Sequence, residues 1–187
     1  MTKRLFIAVP LPESQREILS SCKEKNSFAD ARRTASENLH ITVYFCGDTV
    51  ESLIPEMNIK LEHVANSLKS FQLPWKALVF APPKRPSRMV WAEYESNKEF
   101  TNLVHIIYNA IKDFLDPASA EKPHPRPIPH VTMARFRNPD TAKEIDLGSA
   151  QNKPLMEPLD VKSFKLIASE LTPDGPKYTV LHKYEIK

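Results

Sequence analysis

An α+β fold is predicted by three features of the sequence. Runs with strand character outnumber helical ones, the two kinds interleave without the regular alternation of a doubly wound sheet, and one strand-borne motif occurs twice. The 187 residues suffice for one domain, or two intimately packed lobes, with a substantial core. With 41% apolar and 26% charged residues, the composition is that of a folded globular chain rather than a disordered or fibrous one.

Residues 3–10 (KRLFIAVP) form a compact apolar and aromatic run ended by Pro10 and Pro12, which reads as a strand. From Glu13 to about Lys25, Ile18, Leu19 and Cys22 take helical spacing, and Pro12 suits the helix start. A second strand covers 39–45 (LHITVYF), followed by Gly47-Asp48 as a turn. Ile54, Met57, Leu61, Val64 and Leu68 then make one apolar stripe of a helix over 53–69. The first half is thus β-α-β-α.

Residues 71–80 and 88–95 read as strands flanking the proline-rich loop APPKRPS. Between Lys98 and Leu115, Phe100, Leu103, Val104, Ile107, Ile111 and Phe114 recur with the helical period. The segment DPASAEKPHPRPIP carries five prolines and is an extended connector of polyproline character. It delivers the chain to a strand at 130–136 (HVTMARF), and strands at 161–171 and 177–186 close the chain around the turn signal TPDGP.

Composition excludes several function classes. Three isolated glycines, Gly47, Gly148 and Gly175, cannot write a GxGxxG or Walker loop, so neither nucleotide cradle is present. Cys22 and Cys46 form no CxxC pair, and two cysteines cannot make a disulfide scaffold, so a reducing, cytoplasmic setting is expected. The opening residues hold too brief an apolar run for a signal core, and no stretch approaches the roughly 18 residues of a membrane span. A soluble protein without a membrane role is expected. The net charge of +3 points only weakly to an anionic partner, and nothing in the sequence implies a protein partner.

The repeated motif is more specific. His40-Ile41-Thr42-Val43 and His130-Val131-Thr132-Met133 share the pattern His-apolar-Thr-apolar, each inside a strand. With six histidines and nine threonines, chance places roughly 0.3 His-x-Thr triplets in such a chain, and two or more about 3% of the time. Strand alternation sends His40 and Thr42 to one face and Ile41 and Val43 to the other, and does the same for His130 and Thr132 against Val131 and Met133. If the two strands face one another, two imidazoles and two hydroxyls share one cleft. An imidazole, with an ordinary pKa near 6.5, serves as acid or base at neutral pH, and hydroxyls bind non-bridging phosphate oxygens as their charge grows. That set suits phosphate chemistry.

One such triplet alone would more often be structural; its repetition reverses the weighting. His63, His105, His124 and His182 lack the second-residue threonine and read as scaffold or surface. There is no HExxH, no Cys/His ligand spacing and no carboxylate within either motif, and Asp48 reads as a turn residue, so neither metal nor cofactor is expected.

On these residues the chain resembles the RNA 2',3'-cyclic phosphodiesterases, also called 2'-5' RNA ligases, of the two-histidine phosphoesterase superfamily. RLFIAVPLP resembles the family's first strand, SENLHITVYFCGD and RPIPHVTMARF its two HxTx segments, RMVWAE its middle strand, and FKLIASEL with GPKYTVLHKYEI its final hairpin. The resemblance covers nearly the whole chain. It implies one two-lobed domain over 1–187, with pseudo-symmetric α+β lobes, antiparallel sheets lining a central cleft and helices outside. It also implies metal-independent hydrolysis of RNA 2',3'-cyclic phosphate ends to 2'-phosphomonoesters, with reverse 2'-5' ligation as a side activity. His40 would then be the proton donor, His130 the proton acceptor, and Thr42 and Thr132 the phosphate ligands. Alternatives are a different cyclic phosphate or RNA 3' end as substrate, and a module that binds RNA ends or nucleotides without turnover.

Further substrate contacts are candidates. Tyr44 shares the His40 face under simple alternation and could stack on a base or merely pack. Lys84, Arg85 and Arg88 form a basic patch that suits RNA phosphates, and a solvated hairpin tip accounts for it equally well. Arg135 falls opposite His130 and Thr132 unless a bulge re-aims it.

Overall fold

The computed structural model describes residues 1–25, 31–82, 86–117, 121–138, 147, 156–173 and 175–187. In order these form β1 (Thr2–Pro10), α1 (Glu13–Lys25), β2 (Ala31–Arg33), β3 (His40–Val50), α2 (Ile54–Ser67), β4 (Phe71–Leu73), β5 (Trp75–Ala81), β6 (Met89–Tyr94), α3 (Lys98–Ile111), β7 (His130–Phe136), β8 (Leu159–Val161), β9 (Ser163–Thr172) and β10 (Gly175–Glu185), with short 3₁₀ turns between some of them.

Local chemistry explains the helices. α2 has a proline in its first turn, where the missing N–H costs nothing, and buries Met57, Leu61, Val64 and Ala65. α3 starts at the cap Asn97, whose side chain accepts the Phe100 N–H at 2.8 Å, and buries Phe100, Leu103, Val104, Ile107 and Ile111. α2 packs on α3 and β10, and α3 packs on β3. α1 reaches β6, where the Tyr94 hydroxyl donates to Gln15 Oε1 at 2.9 Å and Gln15 Nε2 donates to the Glu157 carbonyl at 2.9 Å.

Eight strands form one antiparallel sheet in the order β10-β9-β1-β3-β7-β6-β5, with β2 also paired to β7. The two lobe sheets are therefore halves of one sheet that meet where β3 joins β7. The register there pairs Ile41 with Val131, and further along β7 its partner on that edge is β2, at 134–136. One face carries the helices: Leu5, Ile7, Val9, Ile41, Val43, Val131, Met133, Phe164 and Leu166 belong to one core cluster spanning both halves. Alternation along β1 sends Phe6 and Ala8 to the opposite face, where they pack with Ile167 and Tyr178.

Several sequence expectations need correction. Gly47-Asp48 is not a turn but part of β3: Gly47, at φ 70°, lies opposite Leu5 beside a register shift, so its positive φ serves a bulge. The expected strand at 71–80 breaks at Pro74, which has no N–H for a ladder, and β4 pairs instead with β8 in a separate two-stranded sheet. β2, three residues long and mostly exposed, has no apolar pattern to announce it. Among the described residues no helix is long and apolar enough to cross a membrane.

Candidate active site

The two motifs lie on the face opposite the described helices, on either side of the β3–β7 join. With Ile41 opposite Val131 in an antiparallel register, His40 runs toward Thr132 and Thr42 toward His130. The imidazoles thus occupy diagonal positions, which in a regular ladder lie roughly 7–8 Å apart. The histidines and threonines are half-buried, while the intervening Ile41 and Val131 are fully buried in the core beneath. Burying each of those side chains stabilises the strand pair by about 1.5–3 kcal/mol and orients the polar residues flanking it.

Both rings are anchored alike. His40 Nδ1 lies 2.7 Å from the Asn38 carbonyl and His130 Nδ1 lies 2.8 Å from the Ile128 carbonyl, in each case two residues upstream. A carbonyl only accepts, so each Nδ1–H donates and each Nε2 is left as the atom for proton transfer. His40 Nε2 lies 3.1 Å from Thr42 Oγ1, so in the neutral ring it accepts the threonine proton.

The surroundings of the rings differ. His40 is bordered by Phe6, at a centroid distance of 4.9 Å, and by the edge of Tyr178, at 5.6 Å. His130 lies flat against Trp91, with centroids 3.7 Å apart and planes at 18°. Burial holds the His40 imidazole below its usual pKa; the Asn38 carbonyl opposes this, and positive charge on His130 and Arg135 adds to it. Burial also lowers His130, with the Ile128 carbonyl and the Glu93 carboxylate pulling it up and Arg135 pushing it down. The mutual influence of these groups places both rings and Arg135 in one electrostatic environment.

The motifs share a further device. Opposite β1, Ile7 pairs with Tyr44 and Ala8 with Thr42, leaving Val43 as an extra residue; opposite β6, Val90 pairs with Ala134 and Trp91 with Thr132, leaving Met133 extra. Each bulge falls on the fourth residue of its motif and reverses the faces of the residues that follow it directly. Tyr44 is therefore turned into the core: it is 7% exposed, its hydroxyl donates to the Glu121 carbonyl at 2.7 Å, and burial and Tyr108 push its pKa up to about 12. The base-stacking reading of Tyr44 fails on this geometry. Phe45, 68% exposed, takes the place on the His40 face that alternation had given to Tyr44. By the same reversal Arg135 is brought to the face of His130 and Thr132, where its Nη1 donates to Met89 Sδ at 3.0 Å.

Lys84 and Arg85 lie outside the described residues. Arg88 is exposed beyond the Met89–Arg135 pair, at the end of β6 away from His130; its N–H donates to the Ala81 carbonyl at 2.7 Å, and its carbonyl accepts from Phe136 at 2.8 Å. Sequence reasoning overlooked Trp91 and Glu93, although alternation in RMVWAEY sets both on one face against Val90 and Ala92. It also overlooked Phe6, Phe45 and Tyr178, whose positions depend on register.

The profile of the 2'-5' RNA ligase superfamily matches residues 10–171. The chain is 28% identical over 183 residues to an RNA 2',3'-cyclic phosphodiesterase of Methanocaldococcus jannaschii, covering 97% of this chain and 99% of the relative. It is 29% identical over 185 residues to the protein of the same name from Archaeoglobus fulgidus, again covering 97% and 99%. Among solved structures, a Thermus thermophilus protein aligns with a TM-score of 0.77 at 27% identity over 98% of this chain and 97% of its own. Fold, motif order and profile agree: the chain belongs to the 2'-5' RNA ligase superfamily.

Proposed function

We propose that the protein hydrolyses RNA 2',3'-cyclic phosphate ends to 2'-phosphomonoesters, using its 1–187 chain as a single two-lobed catalytic unit. The observation that carries this reading is the paired anchoring of His40 and His130, each Nδ1 tied to a backbone carbonyl so that each Nε2 is the ring's proton-transfer atom on one face of the β3–β7 join. The relatives named RNA 2',3'-cyclic phosphodiesterase support the substrate class.

In the reaction, water attacks phosphorus as His130 Nε2 takes its proton. The P–O3' bond breaks as His40 gives a proton to the 3'-oxygen, and the phosphate stays on the 2'-oxygen. Thr42, Thr132 and Arg135 hold the non-bridging oxygens, whose charge increases at the transition state. A 5'-hydroxyl in place of water gives a 2'-5' joined product. The steps as written require proton transfer and hydrogen bonding and no metal.

The test is incubation of an oligonucleotide bearing a 2',3'-cyclic phosphate with EDTA present, followed by identification of the monoester. A 2'-phosphate product is expected. A 3'-phosphate, loss of activity to the chelator, or tight binding without single-turnover product each overturns the proposal, the last in favour of a non-catalytic RNA-end binder. Turnover confined to another cyclic phosphate reassigns the substrate.

A further inference from the structure

β6 brings two side chains to His130 that the repeated motif does not contain. Trp91 supplies the flat stack, and it does so although its Nε1–H is buried without a hydrogen-bond partner among the described residues, an arrangement that ordinarily destabilises. Glu93 stands directly opposite His130 in the β6–β7 register and is 7% exposed. Residues directly opposite in a ladder have their Cβ atoms about 4.5–5.5 Å apart. A carboxylate this buried requires a counter-charge, which Lys76 Nζ provides at 3.1 Å from Oε2. Lys76 can do so because the β5–β6 register shifts between Trp75 and Ala77, and its side chain remains 47% exposed. His40, by contrast, has the rings of Phe6 and Tyr178 beside it. A buried carboxylate with a half-exposed lysine partner thus accompanies one imidazole of the pair, and no carboxylate stands opposite the other.

We infer that Glu93 is a positioning residue acting through His130: its carboxylate stabilises the imidazolium that this ring becomes on taking a proton, and the face of Trp91 holds the same cation. The role in turnover rests on the hydrolytic reading given above. The charged and titratable groups around the ring are Glu93 on β6, Lys76 behind it on β5, His40 on β3 and Arg135 on β7, with Arg32 on β2 opposite Arg135. Arg135, and His40 when protonated, resist a positive charge on His130, whereas Glu93 favours it. A stacked indole adds a cation–π attraction. With the proton acceptor strengthened at His130 and not at His40, two copies of one motif acquire different proton affinities, and the passage of a proton from the attacking water to His130 gains a built-in direction.

The experiment is an NMR titration of the histidine Cε1–H signals in substrate-free protein, paired with pH–rate profiles. In Glu93→Gln the His130 midpoint falls by roughly one pH unit while that of His40 moves little. The acidic limb of kcat/KM moves down with it, and plateau kcat falls about three- to tenfold as the base weakens. In Lys76→Met the His130 midpoint moves the other way, upward, because Glu93 loses its counter-charge. Glu93→Asp restores part of the wild-type midpoint. Opposite shifts from two variants of one ion pair are not produced by general loosening of β6. A His130 midpoint unmoved in both variants, or moved equally with that of His40, overturns the inference. If Glu93→Gln does not fold, the Lys76→Met titration decides alone. Because the titration needs no turnover, failure of the hydrolytic reading is distinguishable: the signals would shift as stated in a protein that leaves the cyclic phosphate intact.

Discussion

Ile41 of β3 and Val131 of β7 stand opposite one another, both fully buried, and each is flanked by the histidine and threonine of its own motif. This apolar pair is where two segments ninety positions apart become one site. Truncation to Ile41→Ala is expected to destabilise the protein by about 2–5 kcal/mol through lost burial and the cavity left behind. Denaturant unfolding measures this, and a cost no greater than that of an exposed substitution would show that the join does not depend on the pair.

The two imidazoles are expected to be non-redundant. His40→Ala and His130→Ala should each lower kcat by about 10²–10⁴-fold on an oligonucleotide ending in 2',3'-cyclic phosphate, with circular dichroism unchanged. Full activity in either variant would remove that ring from proton transfer.

The pH dependence follows from burial, which lowers both imidazoles. The acid must be charged, so activity is lost as pH rises through the His40 pKa; the base must be neutral, so activity is lost as pH falls through the His130 pKa. With both values below the ordinary one, the kcat/KM bell should centre on the acid side of about 6.5. A bound phosphate anion favours both charged rings, so the kcat bell should lie at higher pH than the kcat/KM bell. Rates collected across both limbs check the order; a kcat bell on the acid side of the kcat/KM bell contradicts it.

Arg135 should act both as phosphate ligand and as a repulsive charge. Arg135→Met is expected to weaken inorganic phosphate binding by at least about tenfold, the scale of one charge-assisted hydrogen bond. It should also move the kcat/KM bell to higher pH, since the guanidinium lowers both imidazoles. Calorimetry with phosphate and the rate profile read the two effects separately, and the phosphate affinity does not change if the guanidinium only packs on Met89.

Tyr44 and Phe45 should have exchanged the roles that simple alternation gives them. Tyr44→Phe should cost about 0.5–1.5 kcal/mol of stability through the lost bond to Glu121 and leave KM unchanged. Phe45→Ala should leave stability nearly unchanged and weaken oligonucleotide binding by about 1–3 kcal/mol, the scale of one base stacked on a ring. The reverse pattern would mean that the bulge after Thr42 is not present in solution.

Local sequence patterns accounted for most of the described strands and for α1, α2 and α3, because apolar spacing and capping act within a few residues. Phe100 to Ile111 bury one face of α3 at the helical period, and Asn97 caps it, as their order in the chain requires. The His-x-Thr alternation was legible for the same reason, since a strand divides its own faces without outside help. Three features were not legible locally. Gly47 continues a strand because β1 provides a partner for it, Pro74 divides a strand whose halves belong to different sheets, and β2 owes its existence to the edge of β7.

By itself, the sequence determined which side chains could perform the chemistry: two histidines and two threonines, each motif carrying an apolar underside that must be buried. Tertiary structure alone decided what joins them. Bulges at Val43 and Met133 turned Tyr44 inward and Phe45 and Arg135 outward, and the β6 register set Trp91 and Glu93 against His130. A bulge is a mismatch in count between two paired strands, so it does not exist in either strand read alone. A proton affinity likewise depends on charges and burial supplied by distant segments, which is why two nearly identical motifs come to surround their rings differently.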